Sequence, residues 1–196
     1  VLGVQGHVAY PDKADNPIHR FAPALHELTQ EVWDKGNDYF PPTSFQVSNI
    51  QAGTGAENVI PGELKVSFNF RFSTALTEAL IKQRVEAILN RHGLRYEIKW
   101  RLSGAPFLTQ QGPLIGATQK ALEDILGAKA RPDTGGGTSD GRFIAPTGAE
   151  VVELGPLNGS IHKIDEHTPI EDIDTLTQIY LRIIENLLAD PLQRPA

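Results

Sequence analysis

The chain has 196 residues and a net charge of −6, and 40% of its residues are hydrophobic while 21% are charged. This composition predicts one or two soluble, globular domains, and the negative charge argues against nucleic acid or an anionic membrane as a partner. No apolar run approaches the roughly 20 residues of a membrane-spanning helix, and no signal segment opens the chain, so a cytoplasmic location is expected. Because the chain has no cysteine, any metal must be bound by imidazole and carboxylate groups.

The chain opens with strand-forming residues over 1–8, a segment that includes His7, and then reaches a corner at Tyr10 and Pro11. A fold rarely starts in the middle of a strand, and the sequence contains no methionine. We therefore expect an internal-to-C-terminal piece of a longer protein, in which part of a functional site comes from elsewhere.

The next region predicts an amphipathic helix. Asn16 is a suitable N-cap, and Pro17 occupies the first helical position, where its missing N–H costs nothing. Apolar residues recur at three- and four-residue steps over 18–32, and Gly36 ends the pattern. Pro23 lies inside this segment and predicts a slight bend.

Three strands and a second helix follow in the first half. Strands are predicted over 43–52, with an irregularity before Ile50, and over 64–72 and 94–102, where apolar and polar residues alternate. Between the last two, Thr77 caps a helix that ends near Gly93. The order β-α-β-β-α-β predicts an α+β, ferredoxin-like sandwich, in which two helices cover one face of an antiparallel sheet. This domain is expected to span residues 1–105.

The second half, residues 106–196, has a different organisation. The sequence predicts a helix over 114–126, a glycine-rich loop over 133–142, a short strand over 150–154 and a final helix opening at Thr168. One strand and three helical stretches are too few to enclose a core. This segment is therefore expected to be the C-terminal part of an α/β catalytic domain whose main sheet lies before Val1.

Two histidines are candidates for chemistry. His162 follows a Gly-Pro and Asn-Gly loop and lies among carboxylates, a setting that suits a metal ligand, although an isolated loop histidine with a solvated turn explains the same residues. His7, beside Gly6, could donate a hydrogen bond to a developing oxyanion, or it could simply pack in its strand.

Two further features suggest anion binding. Arg71 projects from the polar face of its strand and could bind a carboxylate through two hydrogen bonds, or it could be an ordinary solvated residue. The run from Gly135 to Thr138 could present backbone N–H groups to an anion, or it could be a flexible turn. It lacks the Gly-Lys-Ser/Thr ending of a nucleotide phosphate loop, which excludes nucleotide binding by that motif.

Several stretches together resemble one family, the succinyl-diaminopimelate desuccinylases, which are bacterial metallo-amidohydrolases of the M20 peptidase type. The stretches are Gly3-Val-Gln-Gly-His-Val-Ala-Tyr-Pro11, Ala14-Asp-Asn-Pro17, Asn49-Ile-Gln-Ala-Gly-Thr-Gly55, Asn58-Val-Ile-Pro-Gly62, Phe68-Asn-Phe-Arg-Phe-Ser73, Thr134-Gly-Gly-Gly-Thr-Ser-Asp-Gly-Arg-Phe-Ile144, Val152-Glu-Leu-Gly-Pro156 and Ile161-His-Lys163. The resemblance covers nearly the whole chain but only the later half of the family's enzyme.

The resemblance assigns roles to individual residues. His162 would be a zinc ligand, and His7 would reach across a homodimer, formed through residues 1–105, to stabilise the oxyanion in the partner's active site. Asn58 would also be presented in trans. The positions that would hold the carboxylates and backbone of the small-molecule substrate are Tyr10, Arg71, Ser103, Gly104, Gly137 and Thr138.

The resemblance further implies a reaction, the zinc-dependent hydrolysis of N-succinyl-L,L-2,6-diaminopimelate to succinate and L,L-diaminopimelate in lysine and diaminopimelate biosynthesis. The complete site would take two zinc ions, with cobalt as a substitute. The family's remaining metal ligands and its glutamate general base belong to the earlier half, so this chain is expected neither to bind zinc tightly nor to hydrolyse substrate alone. Two alternatives stay open: a related N-acyl-amino-acid deacylase, and a non-catalytic dimerisation module.

Overall fold

The computed structural model describes residues 1–135, 137 and 139–188, and it divides the chain into two compact units, Val1–Pro106 and Phe107–Ala196. Within the described ranges, no helix combines the length and the apolar character needed to cross a membrane.

The first unit contains two antiparallel strand pairs and two long helices. Its elements are β1 (Gly6–His7), a 3-10 turn (Pro11–Lys13), α1 (Pro17–Gln30), β2 (Ser44–Ala52), β3 (Val59–Ile60), β4 (Leu64–Arg71) and α2 (Glu78–Arg91). Strand β1 pairs with β3, and β2 pairs with β4. An isolated bridge between Leu2 and Glu63 extends the β1–β3 pairing, so residues 1–8 run antiparallel to residues 59–64.

Local sequence signals set most element boundaries in this unit, as predicted. The side chain of Asn16 accepts the N–H of Ile18 (3.0 Å), and that of Thr77 accepts the N–H of Leu80 (3.2 Å), so both helices are capped. Gly93 follows α2 with a positive φ of 61°, which favours glycine. The predicted irregularity in β2 is a register shift between Val47 and Asn49.

Some predicted boundaries are wrong. Helix α1 contains Pro23 but ends at Gln30 rather than continuing to Gly36. The segments 94–102 and 150–154 contain no assigned strand. Side-chain burial still alternates along 94–101, and the Leu2 N–H donates to the Arg95 carbonyl oxygen (2.7 Å). Alternation therefore identified the buried face correctly, but an assigned strand also needs a ladder of backbone hydrogen bonds with a neighbour.

The core of the first unit lies between α1, α2 and one face of the β2–β4 pair. The buried residues of this core are Phe21, Ala24, Leu28, Trp33, Phe45, Leu64, Leu76, Ile81, Val85, Ile88, Leu89 and Leu94. The ring of Trp33 meets that of Phe70 edge-on at 4.6 Å between centroids, and Phe45 lies 5.2 Å from Phe70. Such aromatic pairs add to the gain from burial, so this face fixes how the helices sit on the strands.

The second unit is built around one helix pair. Its elements are α3 (Pro113–Leu126), α4 (Gly141–Ile144), a 3-10 turn (Ala145–Thr147) and α5 (Ile170–Leu188). The buried core of this pair is formed by Ala121, Leu122 and Ile179. Helix α5 also carries several large apolar side chains that are more than half exposed: Ile170, Ile173, Leu181, Ile184 and Leu188. An amphipathic helix with a second apolar face is typical of an element that packs against a further layer.

Candidate functional site

The pairing of β1 with β3 brings two predicted site residues together. His7 lies opposite Val59 in the register, and the Val8 N–H donates to the carbonyl oxygen of Asn58 (3.1 Å). The chain then turns, and the Tyr10 N–H donates to the His7 carbonyl oxygen (2.9 Å). We call the group His7, Tyr10 and Asn58 the His7 corner.

The imidazole of His7 has a defined hydrogen-bonding pattern. Its Nδ1 accepts the backbone N–H of Ala9 (3.1 Å), and its ring lies 5.8 Å from the ring of Tyr10 at an angle of 55°. A neutral imidazole has one N–H, so a ring whose Nδ1 accepts carries its proton on Nε2. His7 and Tyr10 are both exposed. With Nδ1 accepting, the corner therefore presents the Nε2 side of the imidazole as a hydrogen-bond donor on an accessible edge.

Close backbone packing holds the His7 corner in place. Val4 and Asp15 exchange backbone hydrogen bonds of 2.8 and 2.9 Å, which brings the segment before α1 against β1. A Cβ at Gly6 would lie 2.7 Å from the Cβ of Ala14, so glycine is required for this approach. A hydrogen bond from Arg20 (2.9 Å) lowers the pKa of Asp15, which keeps this carboxylate charged beside the arginine.

The first unit also contains three predicted site residues that are not members of the His7 corner: Arg71, Ser103 and Gly104. Arg71 is the last residue of β4, lies opposite Ser44 in the register and is exposed. Ser103 is exposed and Gly104 is half-buried, in a segment without helix or strand. An exposed guanidinium at a strand end has the geometry to bind a carboxylate from solution.

The glycine-rich loop belongs to the second unit. Gly137 is exposed, and a Cβ there would meet nothing within 4 Å, whereas Thr138 lies outside the described residues. The loop's later end is held by Ser139, whose hydroxyl donates to Glu153 and accepts the N–H of Gly141 (3.0 Å). The helix that follows, α4, has only four residues, so the loop does not lead into a long helix whose dipole could help to bind an anion.

His162 lies in a tight turn of the second unit. Its backbone φ is +57° and that of Asp165 is +61°, values that residues other than glycine rarely adopt. The His162 N–H donates to Oε2 of Glu166 (3.1 Å), and its Nδ1 lies 3.9 Å from the same oxygen. The side chain is 90% exposed, so its ring is accessible to a ligand.

The described residues do not form a metal centre by themselves. Among them, no group of three or more histidine, aspartate or glutamate side chains is placed to hold a metal ion. A catalytic zinc site needs at least three protein ligands. A catalytic zinc site that included His162 would therefore need further ligands from outside the described residues.

The sequence did not predict two groups that contact the candidate histidines. These are the N–H of Ala9 at His7 and the carboxylate of Glu166 at His162. The turn around His162 also contains Ser160, whose hydroxyl donates to the His167 carbonyl oxygen (2.8 Å). In the sequence, Glu166 is one of the carboxylates near His162, and its hydrogen bond with the His162 N–H does not follow from residue type. Its spacing of four residues from His162 was the available signal, but only a backbone path through positive φ turns the carboxylate onto the histidine.

Comparison with known proteins shows relatives over nearly the whole chain. Residues 1–97 match the family described as "Peptidase dimerisation domain". The succinyl-diaminopimelate desuccinylase of Methylococcus capsulatus is 72% identical over 96% of this chain, and that of Thioalkalivibrio sulfidiphilus is 63% identical over 97%. In both cases the chain spans about half of the relative's length (50%).

Solved structures share the fold. A tripeptidase from Staphylococcus aureus superposes with a TM-score of 0.73 at 21% identity, covering 96% of this chain and 50% of the other. An M20 family metallo-carboxypeptidase from Sulfolobus solfataricus gives 0.67 at 15% identity, covering 95% and 59%. The predicted fold class is confirmed by these comparisons. The chain carries a peptidase dimerisation domain and is, over 96% of its length, a relative of the succinyl-diaminopimelate desuccinylases.

Proposed function

We propose that this chain is part of an enzyme that hydrolyses N-succinyl-L,L-2,6-diaminopimelate to succinate and L,L-diaminopimelate, in cytoplasmic lysine and diaminopimelate biosynthesis. The observation that carries the proposal is the 72% identity, over 96% of the chain, to a protein named for that activity. The chain spans half of that relative, so the activity belongs to a longer protein or to an assembly.

The His7 corner supplies an oxyanion donor in this proposal. Attack of water on the succinyl amide places negative charge on the carbonyl oxygen, and a preorganised donor lowers the energy of that state. The exposed Nε2–H of His7 is available to an external oxygen, and Asn58, the residue before β3, is held against the same turn by the Val8 N–H. The match to a dimerisation domain supports a homodimer through residues 1–105, in which the corner acts on the partner's site.

The other assigned residues complete the proposal. His162 provides one zinc ligand, and the remaining ligands and the general base come from outside the described residues, with cobalt as an alternative metal. The substrate's carboxylates and backbone are held by Tyr10, Arg71, Ser103, Gly104, Gly137 and Thr138. Among these, the Arg71 guanidinium can bind a carboxylate through two hydrogen bonds.

The test is reconstitution of hydrolysis. The chain is assayed with N-succinyl-L,L-diaminopimelate and zinc, alone and co-expressed with the other half of the Methylococcus capsulatus relative. Hydrolysis is expected only when both parts are present. Turnover by this chain alone, or none by a correctly assembled pair, contradicts the proposal. A panel of other N-acyl amino acids separates desuccinylation from a related deacylase activity.

A second candidate function is a non-catalytic dimerisation module. It is favoured by the buried core of the first unit, whose residues all belong to that unit. This hypothesis predicts a stable dimer, measured by sedimentation equilibrium, and the mass of the dimer should not change when a chelator is added. It fails if zinc is needed for dimer formation, or if the co-expressed pair is active.

A further inference from the structure

We propose that the backbone N–H of Ala9 is a positioning group for His7, which selects the tautomer and the ring orientation that expose Nε2–H. The significance of this inference for catalysis rests on the proposed function. The bond itself, from the Ala9 N–H to Nδ1 of His7 at 3.1 Å, is a property of the chain.

The turn around His7 makes this bond part of a fixed pattern. The N–H groups of three successive residues each have a partner: Val8 donates to the Asn58 carbonyl oxygen, Ala9 to the His7 ring and Tyr10 to the His7 carbonyl oxygen. The first of these bonds ties the turn to Asn58, the residue before β3, so the Ala9 N–H lies between two neighbours whose own N–H groups are hydrogen-bonded. The Tyr10 ring, at 5.8 Å, lies beside the imidazole.

An exposed histidine without such a bond is free to change its rotamer and its tautomer, which makes it a poorly positioned hydrogen-bond donor. Its side chain samples several rotamers, and its single neutral-state proton exchanges between two nitrogens. A backbone N–H directed at Nδ1 removes the tautomer with the proton on that atom and fixes the ring plane. Donors held in place before the reaction stabilise an oxyanion more than mobile ones, because no reorganisation is needed.

The first experiment is NMR on the full chain, without substitution. The 15N-labelled protein is recorded at about pH 8, where an ordinary imidazole is neutral. We expect long-range 1H–15N correlations that show His7 with a protonated Nε2, together with a scalar coupling across the hydrogen bond between the Ala9 nitrogen and Nδ1. No such coupling, or a His7 ring protonated on Nδ1, overturns the inference.

Variants test whether the N–H causes the tautomer. Ala9→Pro lacks the donor, whereas Ala9→Gly keeps it and serves as the matched control. We expect mixed tautomers for His7 in Ala9→Pro only. An unchanged tautomer in Ala9→Pro, with the turn intact, overturns the inference. If the amide signals of Asn58 and Val59 show that proline has opened the turn, the coupling in the unsubstituted chain decides.

Activity distinguishes this inference from the proposed function. In the reconstituted enzyme, Ala9→Pro is expected to lower kcat by about 10- to 100-fold with little change in KM, while Ala9→Gly keeps kcat. A clear coupling in a chain that never supports hydrolysis contradicts the proposed function and leaves the positioning role standing. Full activity of Ala9→Pro overturns the positioning role while the proposed function stands.

Discussion

The guanidinium of Arg84 lies over the ring of Trp33, 4.8 Å from its centroid, and donates to the carbonyl oxygen of the same residue. The second amino group of Arg84 donates to the Val32 carbonyl oxygen (2.9 Å) and pairs with Glu31. One side chain of α2 therefore holds the segment that follows α1. This contact explains how the chain leaves α1 after Gln30 and still buries Trp33.

We expect Arg84→Lys to destabilise the first unit. Lysine cannot donate in the planar fork that reaches two carbonyl oxygens and a carboxylate, so the expected loss is about 1–3 kcal/mol in the free energy of unfolding. Urea unfolding followed by tryptophan fluorescence measures it, since Trp33 reports on the site. Arg101→Lys, an exposed position, is the control. Equal stability of both variants contradicts the assigned role of Arg84.

Asp34 is the centre of a second hydrogen-bond cluster. Burial raises its pKa, but donors from Thr43, Gly36 and Ser73 outweigh burial, so the pKa of Asp34 lies below its usual range. The N–H of Gly36 reaches Oδ1 at 2.6 Å, and that of Thr43 reaches it at 3.1 Å. The Asp34 carboxylate thus links the segment that follows α1 to Thr43, the residue before β2.

The pH dependence of stability follows from the direction of this shift. A carboxyl group whose pKa is lower in the folded state stabilises the fold above its unfolded pKa, near 3.9, and this contribution is lost as pH falls through the folded pKa. We expect the unfolding free energy of the unmodified chain to fall between about pH 5 and pH 2 more steeply than that of Asp34→Asn. Asp38→Asn, an exposed carboxylate nearby, is expected to keep the original slope. Parallel curves for all three proteins contradict the assignment.

The sequence predicted features whose cause is local. The caps at Asn16 and Thr77 lie within three residues of the groups they bind, and the buried face of β4 follows from strict alternation. The positive φ of His162 and the Ala9 contact were not predictable, because both depend on the path of the turn rather than on residue type. The partners of 94–102 also depend on the tertiary arrangement.

The N-terminal cap of α3 is another feature that the local sequence could not predict. Gly112 precedes the helix without a side-chain cap, and Oε2 of Glu150 accepts the N–H of Leu114 (2.7 Å) from 36 residues away. A Cβ at Gly112 would lie 1.8 Å from this carboxylate, so glycine makes room for the distant cap. No local pattern could have identified the capping residue.

We expect Glu150→Gln to weaken the second unit. The amide keeps an acceptor for the Leu114 N–H but loses the charge that interacts with the helix N-terminus, so the expected cost is about 0.3–1 kcal/mol. Glu150→Ala removes the acceptor as well and is expected to cost about 0.5–2 kcal/mol. Thermal unfolding followed by circular dichroism at several salt concentrations measures both. The difference between Gln and Glu should shrink as salt screens the charge, and a difference that grows with salt contradicts the electrostatic explanation.

Complementation between two inactive variants tests whether His7 acts across the proposed dimer. In the reconstituted enzyme, His7→Gln is expected to lower kcat by about 10²- to 10³-fold, as for other oxyanion donors, and His162→Ala to abolish hydrolysis by removing the proposed zinc ligand. If each site combines His162 of one protomer with His7 of its partner, a mixed dimer of the two variants regains one site with both histidines. Random assembly makes half of the dimers mixed with one working site each, so co-expression should restore about a quarter of full activity. Two copies of the same variant mixed together provide the control. If the mixed dimers form but stay inactive, His7 serves its own protomer's site and the proposal of action in trans is wrong.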